Sequence, residues 1–401
     1  MKIGILTFHW VYNFGANLQA YSTYSNIRKR GHDPIIINWV PEDDEFIQNC
    51  QAAPSQIEQH KAFNKMMNST KLCRNDKEIA DEIIRLGIEA IIVGSDAVWN
   101  IAKPRLSRST LKMIQPLSDH RFPNPFFGSF QRHLNKQVPM AALSVSMQNA
   151  NYRKFSKDIK EIATTLKQFT RIYVRDSWAQ KAVGFFTNSE IIPTISPDPV
   201  FAFNDGVESI PSKETICQKY AIPEDYVLLS FSKNPLSCKE FKKEWLDELI
   251  TEFEAAGYNV VNLEKIVDNL PLDCKYKVEG GINPLDWFSL IRYSRGYVGV
   301  LMHPIVVSLH NNVPFFSFDT YGLTNMFGHL RKESSKIYHI VGSAGLLDNY
   351  HSCSVYNKLP KPEYVVDRIK HFDLSKESAF LQEKSRQFSI MIDDIIASFE
   401  R

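Results

Sequence analysis

The sequence predicts an α/β protein with two domains, each built on a parallel β-sheet. The chain has 401 residues, of which 44% are hydrophobic, and this is enough for two globular domains. Short apolar runs alternate with amphipathic segments, and the alternation starts afresh near residue 226. Between the two sets, residues 193–212 contain four prolines and little periodicity, which is typical of a domain boundary.

The first set of elements begins with a predicted strand at residues 2–8. A helix follows, in which Ala20, Tyr24 and Ile27 recur at helical spacing. Gly31 comes after three basic residues, as expected where a helix ends. The run PIIINW is predicted to be the next strand, which completes a βαβ unit with parallel strands.

The same pattern continues through the rest of the first domain, which we predict to span residues 1–205. Helices are predicted at residues 79–86 and 155–169, and strands at EAIIVG, PMAALSVSM and RIYVR. Residues 40–75 and 103–137 are weakly patterned, and we interpret them as long loops or insertions near a cleft.

The second domain is predicted to span residues 206–374. Its strands are expected at YVLLSFS, YNVVNL, GYVGVL and PFFSF, with helices at residues 239–256 and 284–295. Pro284 suits the first turn of the second of these helices. Residues 375–401 read as one long helix, which we expect to pack back on the first domain.

Composition and missing motifs exclude several classes of function. The formal net charge of +2 argues against a dedicated nucleic-acid binder. No apolar run approaches the ~18 residues that span a bilayer, and no signal-peptide core is present, so we expect a cytoplasmic protein. The six cysteines form no CxxC pair, which makes a zinc site or a disulfide framework improbable. Neither Gly-x-Gly nor Asp-x-Asp occurs, so no dinucleotide fingerprint, P-loop or metal-nucleotide pair is indicated.

Ligands of parallel sheets bind outside the carboxyl ends of the strands. That rule selects the loops at residues 9–15, 95–100, 175–177, 232–237 and 301–304. The first loop leads into a helix with Asn13, Gly15, Asn17 and Gln19, whose amides and helix N-terminus suit hydroxyls or anions. The alternative is an ordinary turn with a helix cap.

Arg175 is predicted at the end of a strand, and Ser177 lies at the start of the following helix. A cation in that place is suited to clamp an anion. Alternatively, Asp176 only caps the helix and Arg175 pairs with a surface carboxylate. Lys233 also follows a predicted strand, YVLLSFS, and is a weaker candidate for the same anion-binding role.

His303 and Asp96 both follow apolar strands. An imidazole at the mouth of a helix suits acid–base chemistry, because its pKa lies near neutrality. The alternatives are a buried, hydrogen-bonded histidine and an aspartate that caps a helix.

Four segments carry a family resemblance: NFGANLQAY, IIVGSDAVWN, VRDSW with SPDPVF, and YVGVLMHPIVVSLHNNVPFF. In this order they resemble motifs of the polysaccharide pyruvyl transferases, and the similarity covers about residues 1–335. The first two segments are specific, whereas the others would be weak alone.

The resemblance implies two Rossmann-like domains, similar to the GT-B glycosyltransferases, with the active site in the cleft between them. It implies transfer of the enolpyruvyl unit of phosphoenolpyruvate to a sugar of a surface polysaccharide or its lipid-linked precursor, giving a pyruvate ketal and phosphate. No cofactor and no metal are expected, and a lipid-linked acceptor would bring the protein to the inner face of the membrane. The implied site has catalytic residues His303 and Asp96, donor-binding residues Arg175, Lys233 and Ser177, and cleft-lining residues Asn13, Gly15, Asn17 and Gln19.

One departure from the family pattern leaves the identity and the position of the donor undecided. Before the histidine, where the family usually has polar or cationic residues, this chain has Val300, Leu301 and Met302, and Pro304 follows. Either the donor sits differently, or another donor is used, or activity is lost. A metal-independent GT-B glycosyltransferase that uses a nucleotide sugar and a non-catalytic glycan-binding protein are the alternative functions.

Overall fold

The computed structural model describes residues 1–107, 111–148, 150–233, 241–267, 269–320, 323–324, 330–353 and 357–400. Its centre is formed by two six-stranded parallel sheets with helices packed against them. The predicted α/β fold class is therefore confirmed.

Among the described residues, twelve strands form the two large sheets, and four more form two short antiparallel pairs. In chain order the strands are β1 (Lys2–Leu6), β2 (Asp33–Ile36), β3 (Ala90–Val93), β4 (Arg105–Leu106), β5 (Met113–Ile114), β6 (Met140–Val145), β7 (Phe169–Val174), β8 (Thr194–Ile195), β9 (Tyr226–Ser230), β10 (Asn259–Leu263), β11 (Tyr276–Val278), β12 (Gly296–Gly299), β13 (Phe315–Asp319), β14 (Leu323–Thr324), β15 (Leu330–Arg331) and β16 (Tyr350–Ser352).

The α-helices connect the strands and cover the sheets. They are α1 (Phe14–Lys29), α2 (Glu42–Gln51), α3 (Pro54–Asn64), α4 (Asp76–Leu86), α5 (Ile159–Leu166), α6 (Ser177–Phe186), α7 (Phe203–Gly206), α8 (Lys213–Tyr220), α9 (Lys243–Ala255), α10 (Pro284–Arg292), α11 (Met302–His310), α12 (Lys336–Ser343), α13 (Pro362–Lys370) and α14 (Leu374–Phe399).

The strand orders locate the places where a ligand can bind. The N-terminal sheet has the order β2-β1-β3-β6-β7-β8, and the C-terminal sheet has the order β11-β10-β9-β12-β13-β16. In each sheet the direction of winding reverses beside the first strand, between β1 and β3 and between β9 and β12. Because parallel sheets bind ligands outside the carboxyl ends at such a switch point, the loops after these four strands are the expected site.

Helix α1 joins the two halves of the molecule. Asn13 caps its N-terminus by accepting a hydrogen bond from the Ala16 amide at 3.3 Å. Nearly all of its residues from Phe14 to Ile27 are buried, because the helix packs between the N-terminal sheet and helices α10 and α11. Apolar residues of both halves therefore form one continuous core, to which Leu18 and Ile305 belong.

Helix α14 returns from the C-terminal half to the N-terminal sheet, where it packs against β7. Asp394 accepts hydrogen bonds from the Arg171 Nε at 2.7 Å and from the Tyr173 hydroxyl at 2.9 Å. Asp393 pairs with Arg30 of the loop after α1. The domain boundaries expected at residues 205 and 374 stay predictions.

Of the two interpretations given for residues 40–75, a long loop or an insertion near the cleft, the long loop is wrong, because the segment contains helices α2 and α3. Helix α2 was not predicted because it buries only one residue, Asp44, and so has no apolar stripe that would indicate a helix. The described part of residues 103–137 contains the β4–β5 hairpin and three short 3₁₀ helices.

The edge strands β8, β11 and β16 were not predicted, since they are only two or three residues long. The helix expected at residues 239–256 is seen from Lys243 to Ala255, and residues 239–240 lie outside the described part of the chain. Among the described residues, no helix has both the length and the apolar character needed to cross a bilayer.

Candidate active site

A pocket of about 540 Å³ lies between the two sheets, at the carboxyl ends of their strands. Its walls come from the loops at both switch points: residues 11–15 after β1, residues 96–97 after β3, Ser230 at the end of β9, and residues 301–304 after β12. This volume falls within the range of small-molecule sites. The predicted cleft between the two sheets is therefore present.

His303, in the first turn of α11, faces Gly15, in the first turn of α1. A Cβ built on Gly15 would overlap the Cγ and Nδ1 atoms of His303, so only glycine allows the imidazole to lie there. The Nε2 atom of His303 is buried and has no hydrogen-bond partner among the described residues. Burial lowers the pKa of His303, so the ring is neutral at physiological pH with one nitrogen available.

Asp96 is an anionic group of the pocket, beside His303 and Lys336 in its lining. Its backbone φ of 84° lies in the left-handed region, and its Oδ1 accepts hydrogen bonds from the Ala97 amide at 2.8 Å and from Arg175 Nη2 at 3.1 Å. Burial alone would raise the pKa of the carboxyl, but the charges of Arg175 and Lys336 lower it well below its usual range. Asp96 is therefore ionised at neutral pH.

A buried chain of polar groups holds Arg175 in place. Its Nη1 donates to Asp198 Oδ2 at 2.8 Å, and the same carboxylate accepts from the Gln19 side-chain amide. Only 4% of the Arg175 side chain is exposed, and the residue does not line the pocket. Two carboxylates, those of Asp96 and Asp198, thus neutralise this guanidinium.

Lys336 is a cation of the pocket that the sequence analysis missed. It stands at the first position of α12, after the cap residue Ser335, and it lines the pocket together with His303 and Asp96. Burial and the charge of Arg175 lower the pKa of its ammonium group to about 8. Among the described residues it has no carboxylate within ion-pair distance, so its charge is available to a bound anion.

Buried Asp319, at the end of β13, fixes the start of α12. Its Oδ2 accepts hydrogen bonds from the Ser335 hydroxyl and from the Tyr350 hydroxyl, the latter at 2.7 Å. Because Ser335 directly precedes Lys336, this carboxylate positions the lysine without entering the pocket.

Aromatic and acidic groups complete the walls. Trp287 of α10 stacks on Phe14 of α1 with 5.0 Å between the ring centroids, so an apolar contact joins the two halves beside the pocket. Asp44, Asp119 and His120 line another part of the wall.

The structure brings four of the predicted site residues to the pocket and leaves five outside it. Asn13, Gly15, Asp96 and His303 line the pocket. Asn17, Gln19, Arg175, Lys233 and Ser177 do not.

Each of these five has a different environment from the one we expected. Asn17 is fully buried and donates to the His9 carbonyl at 3.0 Å, and Gln19 is fully buried against Asp198. Lys233 is exposed on the surface, and Ser177 is half-buried at the start of α6. The Nη atoms of Arg175 are held by Asp96 and Asp198, and the donor contact expected of Arg175 stays a prediction.

Lys336 had a detectable signal in the sequence. The segment SSKIYHIVG starts a helix with a serine cap, and a lysine at the first helical position is unfavourable beside the positive end of the helix dipole. A cation in that place indicates a partner other than the helix.

The sequence model of one family, polysaccharide pyruvyl transferase, matches residues 13–321. The match covers most of the chain and includes Asn13, Asp96 and His303 of the pocket. The chain belongs to the polysaccharide pyruvyl transferase family. Membership makes it a transferase, as we predicted from the motifs.

Proteins with other names have solved structures of the same fold. One is UDP-GlcNAc 2-epimerase from Neisseria meningitidis bound to UDP-GlcNAc, at 8% identity and a TM-score of 0.55, with 99% of this chain and 100% of that chain covered. Another is UGT89C1 from Arabidopsis thaliana, at 9% identity and a TM-score of 0.50, with 99% of both chains covered. These likenesses confirm the GT-B-like architecture of the pyruvyl transferase chain. A search of curated proteins finds no match.

Proposed function

We propose that this transferase moves the enolpyruvyl unit of phosphoenolpyruvate onto a sugar of a surface polysaccharide or of its lipid-linked precursor. The observation that carries the proposal is that Lys336, His303 and Asp96 line one pocket at the switch points of both sheets. A cation, a neutral imidazole and a fixed carboxylate are the groups that this chemistry requires. No cofactor enters the proposed reaction, because the donor itself is the activated compound.

The donor's anionic groups would bind at the starts of α11 and α12. Leu301, the cap residue of α11, has no side-chain group to pair the first amides of that helix, and these amides attract anions. Lys336, at the start of α12, adds a positive charge to the lining of the same pocket. Leu301 and Met302, which replace the polar residues usual in the family, line the pocket without a charge, so the phosphate would depend on a cation from elsewhere in the lining, and we assign that role to Lys336.

The imidazole of His303 would move protons. A sugar hydroxyl adds to C2 of the donor, its proton leaves, and the methylene carbon C3 gains a proton to become methyl. The bond between C2 and the phosphate oxygen breaks, the second hydroxyl closes the ketal, and its proton leaves with phosphate. His303 is neutral, so it can accept a proton in one step and return it in another.

Asp96 would stabilise positive charge in the same sequence. Its carboxylate is ionised and rigidly held, and the donor's C2 gains oxocarbenium character when phosphate leaves. A preorganised charge of this kind stabilises a transition state without reorganising.

The deciding experiment incubates the protein with phosphoenolpyruvate and candidate glycans. We expect phosphate release and a glycan heavier by one ketal-linked pyruvate, both lost in His303→Ala. Thermal stabilisation by a uridine nucleotide, with none by phosphoenolpyruvate, would instead favour a nucleotide-sugar glycosyltransferase. Glycan binding that is equal in His303→Ala and in the parent protein, without phosphate release, would favour a non-catalytic role.

A further inference from the structure

Asp119 is a buried carboxyl group in the pocket wall that the donor chemistry does not use. It is 4% exposed and lines the pocket, and its Oδ1 is buried without a hydrogen-bond partner among the described residues. Its Oδ2 lies 3.7 Å from Nε2 of His120, which lines the same wall. A buried oxygen without a partner, placed beside a pocket, indicates a ligand group that completes its bonding.

The surroundings of Asp119 fix its position and concentrate negative charge. Asp44 accepts a hydrogen bond from Trp10 Nε1 at 2.6 Å. Asp43 accepts from the amide and the hydroxyl of Ser118, both at 2.9 Å, and lies 3.5 Å from Arg121. Burial and the charges of Asp44 and Asp43 raise the pKa of Asp119 to about 7. A carboxyl group that titrates near neutral pH is suited to take up and release protons.

We propose that Asp119 is the catalytic base that receives the proton of the attacking sugar hydroxyl, with Oδ1 as the accepting atom. The inference rests on the proposed function and names the acceptor side of the same pocket. The ionised carboxylate takes the proton as the hydroxyl oxygen bonds to C2 of the donor. The neutral acid passes this proton to water when the product leaves, and His303 takes up one proton from water in return, which it delivers to the donor's methylene carbon C3.

Asp119→Asn tests this assignment, because it keeps the shape and removes the base. We expect kcat/KM for the acceptor to fall about 100-fold or more, with the phosphoenolpyruvate-induced thermal shift unchanged. Asp81→Asn, which alters an exposed carboxylate paired with Lys77, should leave both measurements as they are. A fall of less than threefold in Asp119→Asn overturns the assignment, whereas a parent protein that neither binds nor consumes phosphoenolpyruvate overturns the proposed function instead.

The pH profile of the parent protein gives a second test that does not depend on how the variant folds. Asp119 must be ionised to accept a proton, so kcat/KM should rise with pH through about 7. The groups facing it are Asp43, Asp44 and His120, with Arg121 beside Asp43. Since burial lowers the pKa of His120, that ring is neutral over most of this range. A profile without a rising limb overturns the assignment.

A second inference concerns the β4–β5 hairpin, which precedes the pocket-lining residues Leu117, Asp119 and His120. Its apolar side chains are exposed: Leu106 by 58%, Leu111 by 76%, Met113 by 56% and Ile114 by 42%. Leu106 and Met113 are paired across the two strands. Exposed apolar side chains in such density mark an interaction surface.

Charge indicates the kind of partner. The sequence from residue 97 to 118 contains four basic and no acidic residues, and one of the four, Lys103, is paired with Asp158 at 2.6 Å. Arg105 and Lys112 are exposed on the hairpin. We infer that this hairpin binds the surface of an anionic membrane, with its apolar side chains in the headgroup region and its basic side chains on the phosphates.

Co-sedimentation with vesicles tests the second inference without any substrate. Vesicles of phosphatidylcholine with phosphatidylglycerol should bind the protein at low salt, and vesicles of phosphatidylcholine alone should bind it far less. The double variant Leu106→Glu, Met113→Glu should weaken binding about tenfold or more. Ile192→Glu, which changes a side chain that is 70% exposed elsewhere, is the matched control. Equal binding by the double variant and the control, or no binding to the anionic vesicles, overturns the inference.

Discussion

The imidazole of His303 lies directly over the Cα atom of Gly15, although 288 positions separate the two residues and they belong to different halves of the molecule. Gly15 therefore shapes the pocket by lacking a side chain. The position of the imidazole depends on how closely α1 and α11 approach each other.

Gly15→Ala should abolish most of the activity and leave the fold intact. The new methyl group meets the His303 ring, so the ring must leave its place. A displacement of about 1 Å in a reacting group can cost about 100-fold in rate, and we expect a fall of that order in kcat. Overpacking at one position should lower the free energy of unfolding by about 1–3 kcal/mol.

Gly184→Ala is the matched control. Gly184 lies in α6, and a Cβ built there meets no atom within 4 Å. We expect full activity and equal or higher thermal stability, since alanine favours helix more than glycine does. Equal activity in Gly15→Ala and Gly184→Ala would show that the position of His303 is unimportant.

Lys336→Met should weaken donor binding. Removing an ionic hydrogen bond in a partly buried site costs about 1.5–3 kcal/mol, so the Kd for phosphoenolpyruvate should rise about 10- to 100-fold. Isothermal titration measures this Kd directly. Lys332→Met makes the same change in net charge at an exposed residue outside the pocket and should leave the Kd unchanged. A donor affinity that Lys336→Met does not alter would contradict the assigned role of Lys336.

Donor affinity should also fall as pH rises through about 8, which is the pKa of Lys336 in the free protein. Only the protonated ammonium group attracts the phosphate, and this form is lost above that pH. In Lys336→Arg the charge persists, because arginine stays protonated, and the decline should disappear. Titrations across the pH range measure the donor affinity of both proteins. An identical decline in the arginine variant would show that another group causes the decline.

Arg175→Ala should act mainly on stability. The substitution leaves Asp96 and Asp198 as buried carboxylates without their shared cation, which costs about 3–5 kcal/mol of unfolding free energy. Chemical denaturation measures this loss. Phosphate release at a temperature where the variant is folded should also fall, because Asp96 loses its orienting bond. A variant of unchanged stability that has lost only donor affinity would support the direct contact that we first expected.

The sequence predicted the parts of the fold that are buried on both faces. Strands such as β1, β3 and β12 are continuous apolar runs, and the turns between them contain glycine or a helix cap. Helix α2 could not be found in this way, since its packing against the pocket wall involves polar residues. Pairing at the sheet edges depends on tertiary contacts that a run of three residues does not encode.

The candidate site was predictable where a polar residue directly follows a buried strand, as Asp96 and His303 do. The same rule placed Arg175 in the pocket, yet its side chain turns to Asp96 and Asp198, because two buried carboxylates hold a guanidinium more strongly than an open cleft does. Lys336 comes from a helix that follows a long connection after β13. No periodic pattern in the sequence predicts that Lys336 lies beside Asp96 and His303.

The path of α14 bears on how the pocket exchanges its contents. The chain passes from one sheet to the other after β8 and passes back between α13 and α14, where Asp393 and Asp394 tie the returning segment to Arg30 and Arg171. The polypeptide therefore connects the two halves twice. Because the halves are joined covalently at two places, any opening that admits a substrate to the pocket has to keep both crossings intact.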